Sequence, residues 1–189
     1  MSKRLPRSFY VRPTLEVAKD ILGKYLVRKK GKSKLVGKIV EVEAYIGPED
    51  KASHAYNGKV TPRCKPVYLK GGYFYIYLCY GIHWQLNITT KGKGDPECIL
   101  IRALEPIGSY GKKIKGKTDG PGKLCKWIGI DKRFNEEDLV YSKRVWVEER
   151  EKKKPQIVSA KRIGIDYAQE WADKPWRFYI KNNDFVSKK

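Results

Sequence analysis

The sequence predicts a single α+β domain over residues 1–189, with a mostly antiparallel β-sheet core flanked by helices and a protruding β-hairpin. Three observations predict it. A chain of 189 residues suits one ordinary domain and is long enough to bury a substantial core. Most of its apolar runs alternate or are rich in Val, Ile and Tyr, as strands are, and only short segments carry a helical period. Turn residues separate these runs, and neither an internal repeat nor a linker divides them.

Following Pro13 and Thr14, Leu15, Ala18, Leu22 and Tyr25 recur at spacings of 3, 4 and 3, an apolar stripe on one face of a helix with Thr14 as its N-cap. Lys34 to Ala44 alternates and reads as a strand. The loop from Ile46 to Pro66 is punctuated by Gly47-Pro48, Asn57-Gly58 and Thr61-Pro62, and so long a loop in a compact domain is more often functional than decorative. Tyr73 to Tyr80 forms a strand, Gly81 turns the chain, and His83 to Thr89 returns antiparallel, which makes the hairpin. Glu97 to Leu104 is the next strand. A Gly/Lys-rich connection runs from Gly108 to Gly122, Lys123 to Ile128 reads as a short helix, and Asn135 caps another through Leu139. Strands return at Val145 to Val147, Gln156 to Ile163 and Arg177 to Ile180, with the polar run Glu148 to Lys154 as an exposed turn.

Forty-one Lys and Arg against 21 Asp and Glu leave a net charge of +20, spread along most of the chain. This points to a polyanionic partner, nucleic acid first, because a basic surface gains affinity by releasing counterions from phosphates. No amphipathic basic helix or lipidation signal suggests a membrane surface. The longest apolar stretch, Tyr73 to Tyr80, is too short to span a bilayer, and Met-Ser-Lys-Arg-Leu-Pro opens no signal-peptide core. An intracellular protein is expected, in the cytoplasm or nucleoid of a prokaryote or the nucleus of a eukaryote. Cys64, Cys79, Cys98 and Cys125 lie 15, 19 and 27 residues apart with only His54 and His83 to add imidazoles, so reduced, mostly buried thiols are expected and a structural zinc site is not.

In Ile39-Val40-Glu41-Val42-Glu43-Ala44-Tyr45 the strand period sends Val40, Val42 and Ala44 to one side and Glu41, Glu43 and Tyr45 to the other. Two carboxylates and a phenol thus share a face. They form either the polar face of a solvated sheet or the wall of a pocket whose general base is one of the carboxylates, and alternation does not choose between the two. Thr118-Asp119-Gly120-Pro121-Gly122-Lys123 opens a helix, where free N–H groups of Gly120, Gly122 and Lys123 suit a phosphate oxygen, and it does not follow the P-loop pattern.

The run Glu41-Val42-Glu43-Ala44-Tyr45-Ile46-Gly47-Pro48-Glu49-Asp50 with Ala52-Ser53-His54 resembles the alkyladenine (3-methyladenine) DNA glycosylase family of vertebrates and bacteria. The resemblance continues, in the family's order, through Thr61-Pro62-Arg63, Tyr75 to Gly81 with Asn87, Leu100 to Pro106, Gly120 to Cys125, Arg162 to Ile165, Trp171, Lys174-Pro175 and Arg177-Phe178-Tyr179, roughly Phe9 to Ile180. It departs at Ile82-His83-Trp84-Gln85 and at Cys64-Lys65-Pro66, both of which bear on substrate range and grip on the duplex.

The resemblance implies a monofunctional hydrolase that flips an alkylated or deaminated purine from double-stranded DNA and cleaves the glycosidic bond with water. That reaction initiates base excision repair and leaves an abasic site. In it Glu43 is the general base, and Arg102 with the backbone carbonyl of Ile163 holds the water. Tyr45 and Tyr77 sandwich the base, His54 lines the pocket with Tyr75 bonded to its side chain, and Leu100 also lines it. Asn87 crowds the amino group of guanine, and Tyr80 at the hairpin tip intercalates in the gap. No metal or organic cofactor, no membrane and a monomeric chain are implied. Candidate lesions are 3-methyladenine, 7-methylguanine, hypoxanthine and ethenoadenine. The rival is a non-catalytic damaged-DNA or RNA binding module, which would keep the charge and aromatics and could dispense with Glu43 and Arg102.

Overall fold

The β-branched and aromatic runs pair into a nine-stranded sheet in the computed structural model, which describes residues 3–108 and 118–189. Its strands are β1 (Lys3–Arg4), β2 (Tyr25–Lys30), β3 (Ser33–Ile46), β4 (Phe74–Cys79), β5 (His83–Thr89), β6 (Glu97–Pro106), β7 (Val145–Glu149), β8 (Ile157–Ala160) and β9 (Arg177–Ile180). Helices α1 (Arg7–Tyr10), α2 (Thr14–Asp20) and α3 (Pro121–Ile128) complete the α+β domain. The order is β1-β7-β2-β3-β6-β5-β4, with β9 joined to β3 and β8, and the pairings are antiparallel.

The long strand β3 organises the sheet. Residues Ser33 to Lys38 pair with β2, Glu41 to Glu43 pair with β9, and β6 follows the opposite edge from Gly37 to Ile46. Register shifts around Glu41 mark the handover, and such a bulge re-aims side chains where a site is built. The two-residue period then divides the sheet into two functions. Val42, Ala44, Phe74, Ile76, Leu86, Ile88, Ile99 and Ile101 share one core with Val17 of α2, Ile21 that caps it, and Leu124 and Ile128 of α3. Each such buried aliphatic or aromatic side chain stabilises the fold by about 1.5–3 kcal/mol. The residues between them, Tyr45, Tyr75, Tyr77, Gln85, Asn87, Cys98, Leu100 and Arg102, point the other way and line a cavity.

Several expectations are corrected. The first helix ends at Asp20, because Gly23 adopts φ +83° and Tyr25 is drawn into β2 opposite Lys38. Thr14 is its first helical residue and not the cap. Its hydroxyl is buried against Thr90 (2.6 Å) and Glu97 instead. No helix runs from Asn135 to Leu139. The chain makes a 3₁₀ turn at Lys132–Phe134, capped by Asp131, and the Asn135 side chain accepts from the Ile76 N–H of β4 (2.8 Å). The strand expected over Gln156 to Ile163 closes at Ala160, and β7 extends to Glu149 into the expected turn. The short elements β1 and α1, and β2, were not anticipated. Of the Gly108 to Gly122 connection, residues 109–117 lie outside the described residues. The four cysteines are free, with Cys64, Cys98 and Cys125 buried. Among the described residues no helix is long and apolar enough to cross a membrane.

Candidate active site

The sheet face opposite the helices opens into a cavity of about 630 Å³. Tyr45, His54, Tyr75, Tyr77, Asn87, Leu100, Arg102 and Ile163 line it, together with Tyr80 of the hairpin tip and Gly120, Gly122 and Lys123 of the α3 entry. Glu43 lies beneath this lining, fully buried and enclosed by Tyr45, Arg102 and Ile163. Two smaller apolar clusters, one around Ala55, Val67, Tyr75 and Cys98 and one around Ala52, Ile165 and Ala168, meet at Tyr45 and anchor the 46–66 loop and the 163–172 segment on this face.

Their partners separate the two carboxylates of β3. A carboxylate offers about four lone-pair positions. Oε1 of Glu43 accepts the Ile163 N–H (2.8 Å) and faces Arg102 Nη1 (3.1 Å), and among the described residues Oε2 accepts only the Tyr45 hydroxyl (2.8 Å). Glu43 therefore keeps acceptor capacity on Oε2, and all three of its partners line the cavity. Glu41 takes four donors, with Arg102 Nε (3.1 Å), Arg177 Nη1 (3.1 Å) and the Ser187 hydroxyl (2.9 Å) on Oε1 and the Ser187 N–H (2.7 Å) on Oε2, and neither Arg177 nor Ser187 lines the cavity. Burial works against the charge on Arg102, but Glu43 and Glu41 outweigh it and hold its pKa above the ordinary value. Ile163 contacts Glu43 through its amide N–H.

The aromatic walls are neutral. Burial first, and the Glu43 charge for Tyr45, raise the pKa values of Tyr45, Tyr75 and Tyr77, so all three phenols keep their protons. His54 Nδ1 lies 2.6 Å from the Tyr75 hydroxyl, and its ring meets Tyr77 edge-on with centroids 4.6 Å apart. Although part of the imidazole faces solvent, desolvation against the loop and then the charges of Arg63 and Lys59 push its pKa down to about 4. It is uncharged at neutral pH.

Arg162 supports Tyr45 from within the protein. Its side chain is fully buried, grips Asp50 with both terminal nitrogens, donates to the carbonyls of Ala44 (3.0 Å) and Trp171 (3.1 Å), and lies 4.8 Å from the Tyr45 ring and 5.2 Å from that of Trp176. The pair thereby ties the long loop to the segment that delivers the Ile163 amide. Removing one partner of a buried pair costs about 3–5 kcal/mol because the other charge is left uncompensated. Asp50→Ala is accordingly expected to lower the melting temperature by roughly 6–20 °C for a chain of this size. An unchanged thermal unfolding curve would show that the pair does not secure the loop.

At the hairpin tip, Tyr80 and Gly81 both take positive φ (50° and 70°), and the Ile82 N–H closes the turn on the Cys79 carbonyl (3.1 Å). A bulky residue in this region is strained by about 1–3 kcal/mol, a condition that marks functional positions. The turn leaves Tyr80 90% exposed at the cavity mouth. Beside it stand residues to which the sequence reading assigned no role. Tyr167 is exposed on the cavity lining, and Arg63 lies over the Tyr77 ring at 4.8 Å and donates to the Leu78 carbonyl (3.1 Å). Arg63 stood in a recognised motif, and Tyr167 carried no signal. At the α3 entry a Cβ on Gly122 would come 3.0 Å from the His83 ring, so glycine permits the helix to abut the hairpin. Lys123 pairs with Asp119 (3.0 Å).

A buried, partly committed carboxylate beneath neutral aromatic walls defines an α+β protein whose site suits a flat ring system delivered from outside. The chain belongs to the methylpurine-DNA glycosylase family, whose sequence model matches residues 8–184. It is 45% identical over 203 aligned positions to a protein of Desulfitobacterium hafniense (strain Y51), covering 99% of this chain and all of the relative. It is 48% identical to one of Clostridium novyi (strain NT), covering 99% and 100%, and 43% identical to one of Borrelia garinii subsp. bavariensis, covering 98% and 100%. Each of the three is named "Putative 3-methyladenine DNA glycosylase".

Proposed function

We propose that the whole chain works as one monofunctional DNA N-glycosylase domain, a monomer that removes alkylated or deaminated purines from double-stranded DNA. The observation that carries this reading is the acceptor position left on Glu43 Oε2 at the floor of the tyrosine-lined cavity. The target nucleotide leaves the stack and its base enters between Tyr45 and Tyr77, with His54, Tyr75 and Leu100 around it and Asn87 set against a guanine amino group. A water entering between Arg102 and Ile163 gives its proton to Glu43 as it attacks C1′ of the sugar. The C1′–N bond breaks, its electrons leave with the base, and an abasic site remains. Stacking on neutral rings favours electron-poor or cationic purines, which are also the better leaving groups. Because water and not a lysine amine is the nucleophile, the DNA backbone stays intact. The +20 charge and the α3 entry hold phosphates.

The test is incubation with duplex oligonucleotides carrying one lesion each, followed by alkaline cleavage of abasic product. Release from at least one lesion supports the reading. Tight lesion binding with no release from any would favour the binding module.

Tyr80 acts as the wedge that fills the vacated stack. Aromatic stacking on a base contributes about 1–3 kcal/mol, so Tyr80→Gly is expected to weaken binding to a lesion duplex roughly 5- to 150-fold. The same change relieves the positive-φ strain, so the melting temperature should hold or rise. Binding isotherms and thermal unfolding on the same variant check both, and undiminished duplex affinity would remove Tyr80 from this role.

A further inference from the structure

We propose that Glu41 is a positioning residue of the reaction, aiming Arg102 at Glu43 and the attacking water; this rests on the glycosylase reading above. Glu41 is fully buried two residues before Glu43, and its four donors come from three places in the chain, Arg102 on β6, Arg177 on β9 and Ser187 beyond β9. Two of its three partner residues, Arg177 and Ser187, stand off the cavity lining, so it is not the carboxylate that meets the water. It instead holds one side of a planar guanidinium whose other side reaches Glu43. Arg102 Nε stands 3.1 Å from Glu41 Oε1 and Nη1 stands 3.1 Å from Glu43 Oε1. Such a fork has a fixed geometry, so anchoring one side aims the other.

The charge arrangement gives the anchoring a chemical consequence. Glu41 and Glu43 face Arg102 and Arg177 on the neighbouring strands, two negative and two positive groups out of solvent, and Tyr45 and the Ile163 amide complete the surroundings of Glu43. Arg102 divides its attraction between the two carboxylates. Without the Glu41 charge, Arg102 would settle on Glu43 alone and leave the place from which it holds the water.

Glu41→Gln is therefore expected to slow single-turnover base release by about 10- to 100-fold while lesion affinity stays near that of the unchanged protein, a loss typical of a misplaced catalytic group. The loss should fall on the rate alone with lesion affinity kept, a split that a merely structural role would not produce. Glu41→Asp keeps the charge but is too short to serve all four donors, so it should recover only part of the rate. A folded Glu41→Gln with a full rate, or one that loses lesion affinity in step with its rate, would overturn the proposal. Should that variant not fold, a slow Glu41→Asp of unchanged lesion affinity supports it and a full-rate Glu41→Asp overturns it. The unsubstituted protein assayed in parallel separates the two ideas: no release by it defeats the glycosylase reading itself, whereas release by it confines any failure to Glu41.

Discussion

Glu43→Gln is expected to cut single-turnover base release by about a hundredfold or more while lesion binding stays within roughly tenfold, since a lost general base has an effect of that size. The substitution is nearly isosteric and keeps oxygen and nitrogen where the carboxylate oxygens were. An amide oxygen can still accept the Ile163 N–H or the Tyr45 hydroxyl, so the floor of the cavity should survive. What disappears is the capacity to take a proton. The pocket lining that would grip a base, Tyr45, Tyr77 and His54, is untouched, which is why affinity and rate should part. Release of hypoxanthine or 3-methyladenine by this variant at the unsubstituted rate would end the role of Glu43 as base. Glu41, held by Arg177 and Ser187 off the cavity lining, would be a poor substitute candidate.

Affinity for undamaged duplex should fall log-linearly with salt, with a slope of roughly −4 to −7 if about four to eight phosphates are neutralised. Between 50 and 200 mM salt that amounts to a loss of about 10²- to 10⁴-fold. Much of the cationic surface does not enter the count, because Arg12, Lys24 and Lys154 are already paired with Asp20 and Glu149 around the groove beside α1 and α2. Charges farther than about 8–10 Å from a phosphate are screened at physiological ionic strength. The ratio of lesion to undamaged affinity should change far less over the same series, because neutral tyrosines, not phosphate contacts, would set it. A titration on matched oligonucleotides measures both slopes. Near-flat affinity for undamaged duplex would assign the basic surface to solubility.

The parts of the fold governed by local pattern were legible before the structure. β9 occupies the residues expected, Arg177 to Ile180, and β4 and β5 differ from expectation by a residue at most, because alternation and the Tyr80-Gly81 turn are local signals. Tyr25 was misplaced because its spacing from Leu22 continues a helical stripe, and only pairing with Lys38 overrides that pattern. Asn135 was misread because its cap serves a strand 59 residues away. At the site, alternation put Glu41, Glu43 and Tyr45 on one face, and the motifs named the residues that the cavity gathers. The choice between the carboxylates came from resemblance, and which of the two has all its partners on the cavity lining is a tertiary fact. Arg162 and Asp50, 112 residues apart, left no trace in spacing.

The carboxylate pair on β3 draws its partners from residues 45, 102, 163, 177 and 187. During synthesis, the strand bearing Glu41 and Glu43 emerges long before Ser187 and the Ile163 amide can reach it. A nascent chain, or a truncated product of a stalled ribosome, would hold both acids without the donors that orient them. Under the glycosylase reading, activity would be tied to completion of the sheet, and proteolytic loss of the segment around Ser187 should slow base release while leaving most of the basic surface able to hold nucleic acid.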